Sequence, residues 1–289
     1  MEIQWFPGHM TKALREMQNN IKLVDLVIEL LDSRVPMSSG NPELSKIAQG
    51  KQRLILLNKA DMADDKITSA WIEYFKEKGI KAVAVDSRST SSKRTVKQAV
   101  DIVVKEKKER DLKRGIKGRP VRAMVVGIPN VGKSTFINCY SGRSSAKTGN
   151  MPGVTKGTQW IRLSGDLELL DTPGVLWPKF EDQVTGMHLA MTGAVRSEVL
   201  DMSDVAVNII VMLKEHYPGK LSERYGCNED NGSVEIFEEI ASRRGCLRKG
   251  GIIDTDKTAL LICDDMKNGR FGKISFESPS DIDRSGGDK

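Results

Sequence analysis

The eight residues Gly127-Ile128-Pro129-Asn130-Val131-Gly132-Lys133-Ser134 follow the apolar run Ala123-Met124-Val125-Val126 and lead into a helical pattern. A glycine-rich loop between a strand and a helix is a phosphate cradle. Successive backbone N–H groups and the positive end of the helix face the anion, and glycine lets the main chain come close. On this reading Asn130, Val131, Gly132, Lys133, Ser134 and Thr135 bind nucleotide phosphates. Lys133 reaches the β- and γ-phosphates as a catalytic cation, and the Ser134 hydroxyl ligates Mg²⁺. Such a loop commits the chain to a parallel α/β sheet.

The rest of the first half agrees. Apolar strand candidates at 23–31, 53–57, 81–85, 122–126, 159–163 and 167–170 alternate with helical stretches. Residues 87–93 and 113–120 read as flexible connections. After Trp177-Pro178 the pattern changes to capped helices at 201–216, 233–244 and 254–267, with Asp201 or Ser203 as the first cap. The expected organisation is an α/β phosphate-loop domain over 1–178 and a smaller all-helical domain over 179–278. The Ser-, Asp- and Gly-rich residues 279–289 are expected to be a disordered tail.

Two further motifs decide the chemistry. Asp171-Thr172-Pro173-Gly174 ends the run at 167–170, where Asp171 can hold the metal through water and the Gly174 N–H can sense the γ-phosphate. Between the two loops, Thr155 of Pro152-Gly153-Val154-Thr155 is placed by order and spacing to close over Mg²⁺ and the γ-phosphate. Asn58-Lys59-Ala60-Asp61 follows the strand candidate at 53–57. Guanine presents N1–H and a 2-amino group, and the Asp61 carboxylate can accept both; adenine offers neither, a mismatch that rejects an analogue by roughly 10⁴-fold. Asn58 buttresses the base loop and the Lys59 stem covers the ring. Ser87 and Arg88 of Asp86-Ser87-Arg88 are candidates for the last guanine loop, departing from the usual Ser-Ala pair. The nucleotide is therefore GTP or GDP.

The order of these motifs is unusual. The guanine motif at 58 precedes the phosphate loop at 127 and the Asp-Thr-Pro-Gly at 171, whereas in common GTPases it comes last. A cyclic rearrangement keeps the same site and moves the termini to another surface connection. It also sends the chain from Gly174 straight into the helical domain.

Composition excludes several alternatives. The longest nearly apolar stretches, 24–31 and 205–213, fall short of the roughly 20 residues that span a bilayer, and residues 1–10 lack a secretory pattern. A cytoplasmic protein without a membrane partner is expected. Cys139, Cys227, Cys246 and Cys263 are scattered, as reduced thiols are, and three histidines offer little for metal chemistry. The net charge of +6 is uneven: residues 105–122 carry nine Lys or Arg against Glu106, Glu109 and Asp111, and Arg243, Arg244, Arg248 and Lys249 form a second cluster. Such clusters suit a polyanion, though they also occur as solvated faces. A metabolic phosphoryl-transfer enzyme, a tRNA-modification or membrane GTPase, and a non-hydrolysing binding module are the other classes.

The chain resembles the circularly permuted GTPases over nearly its whole length. The resemblance rests on Gln4-Trp5-Phe6-Pro7-Gly8-His9-Met10, Asp32-Ser33-Arg34-Val35-Pro36 with Asn41-Pro42, the GTPase motifs, Trp177-Pro178-Lys179-Phe180-Glu181 and Arg244-Gly245-Cys246. It implies a cytoplasmic bacterial factor that binds a late precursor of the large ribosomal subunit, both rRNA and ribosomal proteins, and couples GTP hydrolysis to its maturation; a monomer is expected. It also implies that the helical domain binds RNA. Val175 stands where common small GTPases carry a water-positioning glutamine. The resemblance assigns that role to His9, in a Pro-Gly-His turn before a helix expected from Thr11; a helix-start histidine without a catalytic part is the other reading. It further implies that the Asn130 side chain helps hold K⁺ beside the phosphates, or else only shapes the loop.

Overall fold

The computed structural model describes residues 8–141, 159–162, 167–177, 182–195 and 200–285. Two compact units emerge, Met1–Phe180 with Glu277–Lys289, and Glu181–Phe276.

The first unit is a six-stranded sheet: β1 Leu26–Asp32, β2 Gln52–Asn58, β3 Lys81–Ala84, β4 Val121–Val126, β5 Gln159–Arg162 and β6 Leu167–Asp171. The spatial order is β3-β2-β1-β4-β6-β5, all parallel except β5, which runs antiparallel to β6. Strand β1 is buried at every position, as a central strand covered on both faces must be. Helices α1 Gly8–Asn20, α2 Pro42–Ile47, α3 Asp65–Glu77, α4 Ser92–Val103, α5 Lys105–Lys113 and α6 Lys133–Ser141 complete the layers.

The chain builds outward from β1 to β2 and β3, then crosses back to β4 on the other side of β1 and builds outward again. The β1/β4 boundary is thus a topological switch point, the crevice where open α/β sheets bind ligands.

Three expectations are corrected here. The first strand begins at Leu26, because Ile21–Leu23 form a 3₁₀ turn that leaves Leu23 exposed. Helix α1 starts at Gly8, ahead of the expected Thr11. The described part of the tail is not structureless: α12 Ser280–Ser285 forms and Ile282 packs on a cluster around Trp71, and just ahead of the tail the Trp71 indole N–H donates to the Glu277 carbonyl at 3.1 Å. A polar composition averages over the segment and misses one apolar anchor and one buried carboxylate.

The second unit holds α7 Gln183–Met191, α8 Met202–His216, α9 Lys220–Tyr225, α10 Ser233–Arg243 and α11 Thr255–Lys267. Asp201 and Asp254 cap α8 and α11 through their side chains, while α10 starts from Gly232 without a side-chain cap. Ile209, Ile210, Leu213, Ile236, Ile240, Ile262 and Met266 form its core.

Candidate nucleotide-binding and hydrolysis site

The nucleotide motifs lie at the carboxyl ends of β1, β2, β3, β4 and β6, on one edge of the parallel sheet. Asn58 is the last residue of β2 and is buried. Its Nδ2 donates to the Val131 carbonyl at 2.6 Å, and its Oδ1 accepts from the Ser87 N–H at 3.0 Å and hydroxyl at 2.7 Å. One amide therefore ties the base-recognition loops to the phosphate loop. The contact requires glycine opposite it: Gly132 has φ +102°, and a Cβ there would lie 2.3 Å from Asn58 Nδ2.

Among the described residues, Lys59 and Asn130 are the two non-glycine residues with left-handed backbone, at φ 59° and 57°. Both belong to nucleotide motifs, where such strain is held in place by its surroundings. The Lys59 ammonium pairs with Asp32 at 2.9 Å. Asp32 also takes both Nε and Nη2 of buried Arg34, each at 2.9 Å. Burial opposes its ionisation, but the two cations win and hold its carboxyl well below the usual range. This pin on the guanine loop was not a site assignment from sequence; its visible signal was the Asp-Ser-Arg string at the end of an apolar strand.

Asp61 and Arg88 are brought together, with Arg88 Nη2 donating to Asp61 Oδ2. The Arg88 guanidinium and N–H both reach Asp86, fixing the turn after β3.

Lys133, the first residue of α6, is buried and donates to the Gly127 and Ile128 carbonyls at 2.9 and 2.7 Å. Burial lowers its pKa to about 8, with Asp171 pulling the other way. Ser134 and Thr135 follow it in the first turn of α6. Asp171 closes β6, and burial raises its pKa to about 6 against the attraction of Lys133. Its Oδ1 has no hydrogen-bond partner among the described residues. A buried, orphaned carboxylate oxygen beside a serine-bearing helix start fits a hard divalent cation, so Asp171 and Ser134 suit Mg²⁺. Gly174 packs against the loop so closely that a Cβ would lie 2.8 Å from Pro129 main-chain atoms and 2.9 Å from Lys133 Nζ. Thr155 and the His9 side chain lie outside the described residues, while the His9 main chain is in α1.

The Asp171 shift carries a pH dependence. With its pKa raised to about 6, Asp171 would have to lose its proton to serve a cation, so affinity for Mg²⁺–GDP should be near its full value at pH 7 and fall as pH drops through 6. The loss from pH 7 to 5 should be roughly tenfold in a fluorescent-nucleotide titration, and absent in Asp171→Asn. For folding of the empty protein the sign is opposite: the contribution is fully present below the ordinary carboxylate value of 3.8 and is lost as pH rises through about 6.

Sheet order, phosphate loop and guanine loop together define a phosphate-loop GTP hydrolase with circularly permuted motifs. A family described as 50S ribosome-binding GTPase matches residues 122–231. That stretch begins in β4 and leaves out Asn58-Lys59-Ala60-Asp61, as permutation requires. The ribosome biogenesis GTPase A of Bacillus cereus is 49% identical, covering 98% of this chain and 96% of that protein. That of Thermotoga maritima is 30% identical, covering 97% and 96%. Among solved structures, GDP-bound TM YlqF matches with a TM-score of 0.66 at 26% identity, over 92% of this chain and 100% of that one. GNP-bound YlqF from T. maritima matches at 0.64 and 28%, over 93% and 98%. The chain belongs to the ribosome biogenesis GTPase A family.

Proposed function

We propose that this GTPase binds late precursors of the large ribosomal subunit in its GTP state and leaves them after hydrolysis. The observation that carries the reading is the pairing of this nucleotide site with a strongly basic surface in a chain whose relatives are ribosome biogenesis GTPases. On and after α5, Lys107, Lys108, Arg119 and Arg122 are engaged with Asp25, Asp111, Asp101 and Glu168. Lys105, Arg110, Lys113, Arg114 and Lys117 remain exposed, a charge pattern suited to rRNA phosphates. In the second unit Arg243 and Arg248 pair with acids, and exposed Lys249 adds positive charge. The protein acts as a cytoplasmic monomer; among the described residues no helix is long and apolar enough to cross a membrane.

Within the site, Asp61 reads guanine with Arg88 and Ser87 at its rim, and Asn58 joins base loop to phosphate loop. Main-chain groups of residues 130–135 and Lys133 hold the phosphates. Ser134, Thr155 and Asp171 would hold Mg²⁺, which would neutralise charge on the β- and γ-phosphates. His9 would orient the attacking water, and Asn130 would help hold K⁺.

The test is cosedimentation of the full chain with large-subunit precursors across a salt series, in GDP and in a non-hydrolysable GTP analogue. Binding should be stronger with the analogue and fall steeply with salt. Equal binding with both nucleotides would remove the coupling, and no cosedimentation would remove the ribosomal reading. Phosphate release in K⁺ and in Na⁺ tests the monovalent ion, and equal rates would remove it.

A further inference from the structure

Val175 follows Gly174, at the position where common small GTPases carry a water-positioning side chain. Its side chain is buried, so what it contributes is main chain. The Val175 carbonyl accepts from Asn41 Nδ2 at 3.0 Å, and the Val175 N–H donates to the Gly127 carbonyl at 3.4 Å. Asn41 is fully buried, and its Oδ1 accepts from the Glu43 N–H at 2.9 Å as the cap of α2. Both ends of this amide are used, so it holds Val175 in one orientation.

Asn41 ends the loop that leaves β1. Within that loop, Ser33 N–H donates to the Asn58 carbonyl at 2.8 Å and the Ser39 hydroxyl donates to the Val35 carbonyl at 2.7 Å. The Arg34, Val35, Ser39 and Gly40 amides also find acceptors within the loop or at Asp32, but those of Met37 and Ser38 find theirs far away in sequence. The Glu277 carboxylate, 4% exposed, accepts the Met37 N–H at 2.7 Å, the Ser38 N–H at 3.1 Å and the Ser38 hydroxyl. The Trp71 indole fixes the Glu277 carbonyl in turn. Glu277 is the first residue of the first unit after the chain leaves the helical unit; its neighbour Phe276 packs on the helical core.

We propose that Asn41 and Glu277 are positioning residues for GTP hydrolysis. Asn41 sets the main chain after Gly174, and Glu277 sets the loop that carries Asn41. The segment that follows the helical unit thereby reaches the γ-phosphate-sensing segment through side-chain-to-main-chain hydrogen bonds, in a contiguous two-step path. This rests on the reading of Gly174 as the γ-phosphate sensor.

The experiment measures intrinsic phosphate release by the full chain, without ribosomes, together with affinities for GDP and for a non-hydrolysable GTP analogue. Asn41→Asp keeps the α2 cap but cannot donate to Val175. Glu277→Gln keeps the size but turns a donor toward main-chain donors. Each should lower kcat roughly tenfold while leaving the GDP affinity within about twofold. The double variant should lose little more than either single one, since both act on the same loop. Glu277→Asp should restore part of the rate. Parallel loss of GDP affinity and thermal stability would show a merely structural role, and an unchanged kcat or a fully multiplicative double variant would overturn the proposal. Gly174→Ala is the control for the underlying reading: if it still prefers the analogue as the parent chain does, the sensor assignment fails whatever Asn41 and Glu277 do.

Discussion

Replacing Asp61 with Asn should move the nucleotide preference from guanine to xanthine by about 10⁴-fold in the ratio of affinities, with GTP binding itself weakened by at least about 10²-fold. Guanine offers two donors on one edge, which a carboxylate accepts together. Xanthine replaces the 2-amino donor with a carbonyl, which the Asn amide can pair and a carboxylate cannot. The structure adds a second consequence. Asp61 is one of two charge partners of Arg88, so the substitution also leaves that guanidinium paired with Asp86 alone. Displacement titrations of the parent chain and variant with GTP, XTP and ATP measure the shift. A variant that still prefers GTP to XTP would mean that the base is read elsewhere.

Gly132→Ala should lower GDP and GTP affinity by about 10²-fold or more without unfolding the sheet. The backbone at φ +102° disfavours any side chain, and the added methyl would meet the Asn58 amide at 2.3 Å. Asn58 cannot turn aside cheaply. It donates to Val131 and accepts twice from Ser87, so moving it strands buried polar groups at about 1–3 kcal/mol each. Two such losses correspond to the expected fall in affinity, because the clamp joining base loop and phosphate loop opens. The apolar strand residues Leu54 to Leu57 and Ala123 to Val126 are untouched, so the sheet should still fold, with thermal unfolding lowered by about ten degrees or less. Affinity within about threefold of the parent chain would show that the clamp has no part in binding.

Much of this site was legible in the sequence because its loops are local. The phosphate loop, Asn58-Lys59-Ala60-Asp61 and Asp171-Thr172-Pro173-Gly174 each follow an apolar run, and their chemistry is carried by adjacent residues. Strand interiors were legible for the same reason: short Leu-, Ile- and Val-rich runs between polar ends have few other uses in an α/β sheet. Strand ends were less so, since Leu23 is apolar yet lies in a 3₁₀ turn. What periodicity cannot encode is pairing at a distance. The bond from Met37 to Glu277 spans 240 positions, and that from Asn41 to Val175 spans 134. Nothing near Glu277 distinguishes it from a solvated tail carboxylate, and its role appears only once the sheet has brought the β1 loop to meet it. The Asp32–Arg34–Lys59 cluster is intermediate: its members were visible, but the αL turn that aims Lys59 at Asp32 was not.

The place of Glu277 also has a temporal meaning. The nucleotide-binding unit is not continuous along the chain, since the whole helical unit is made between Phe180 and Glu277. During synthesis, β1 to β6 and their loops exist on the order of ten seconds before the carboxylate that caps Met37 and Ser38, at typical rates of translation. A nascent chain can thus assemble the loops that read guanine and phosphate while the β1 loop still lacks its last acceptor, and that loop is finished only after the helical unit has been made.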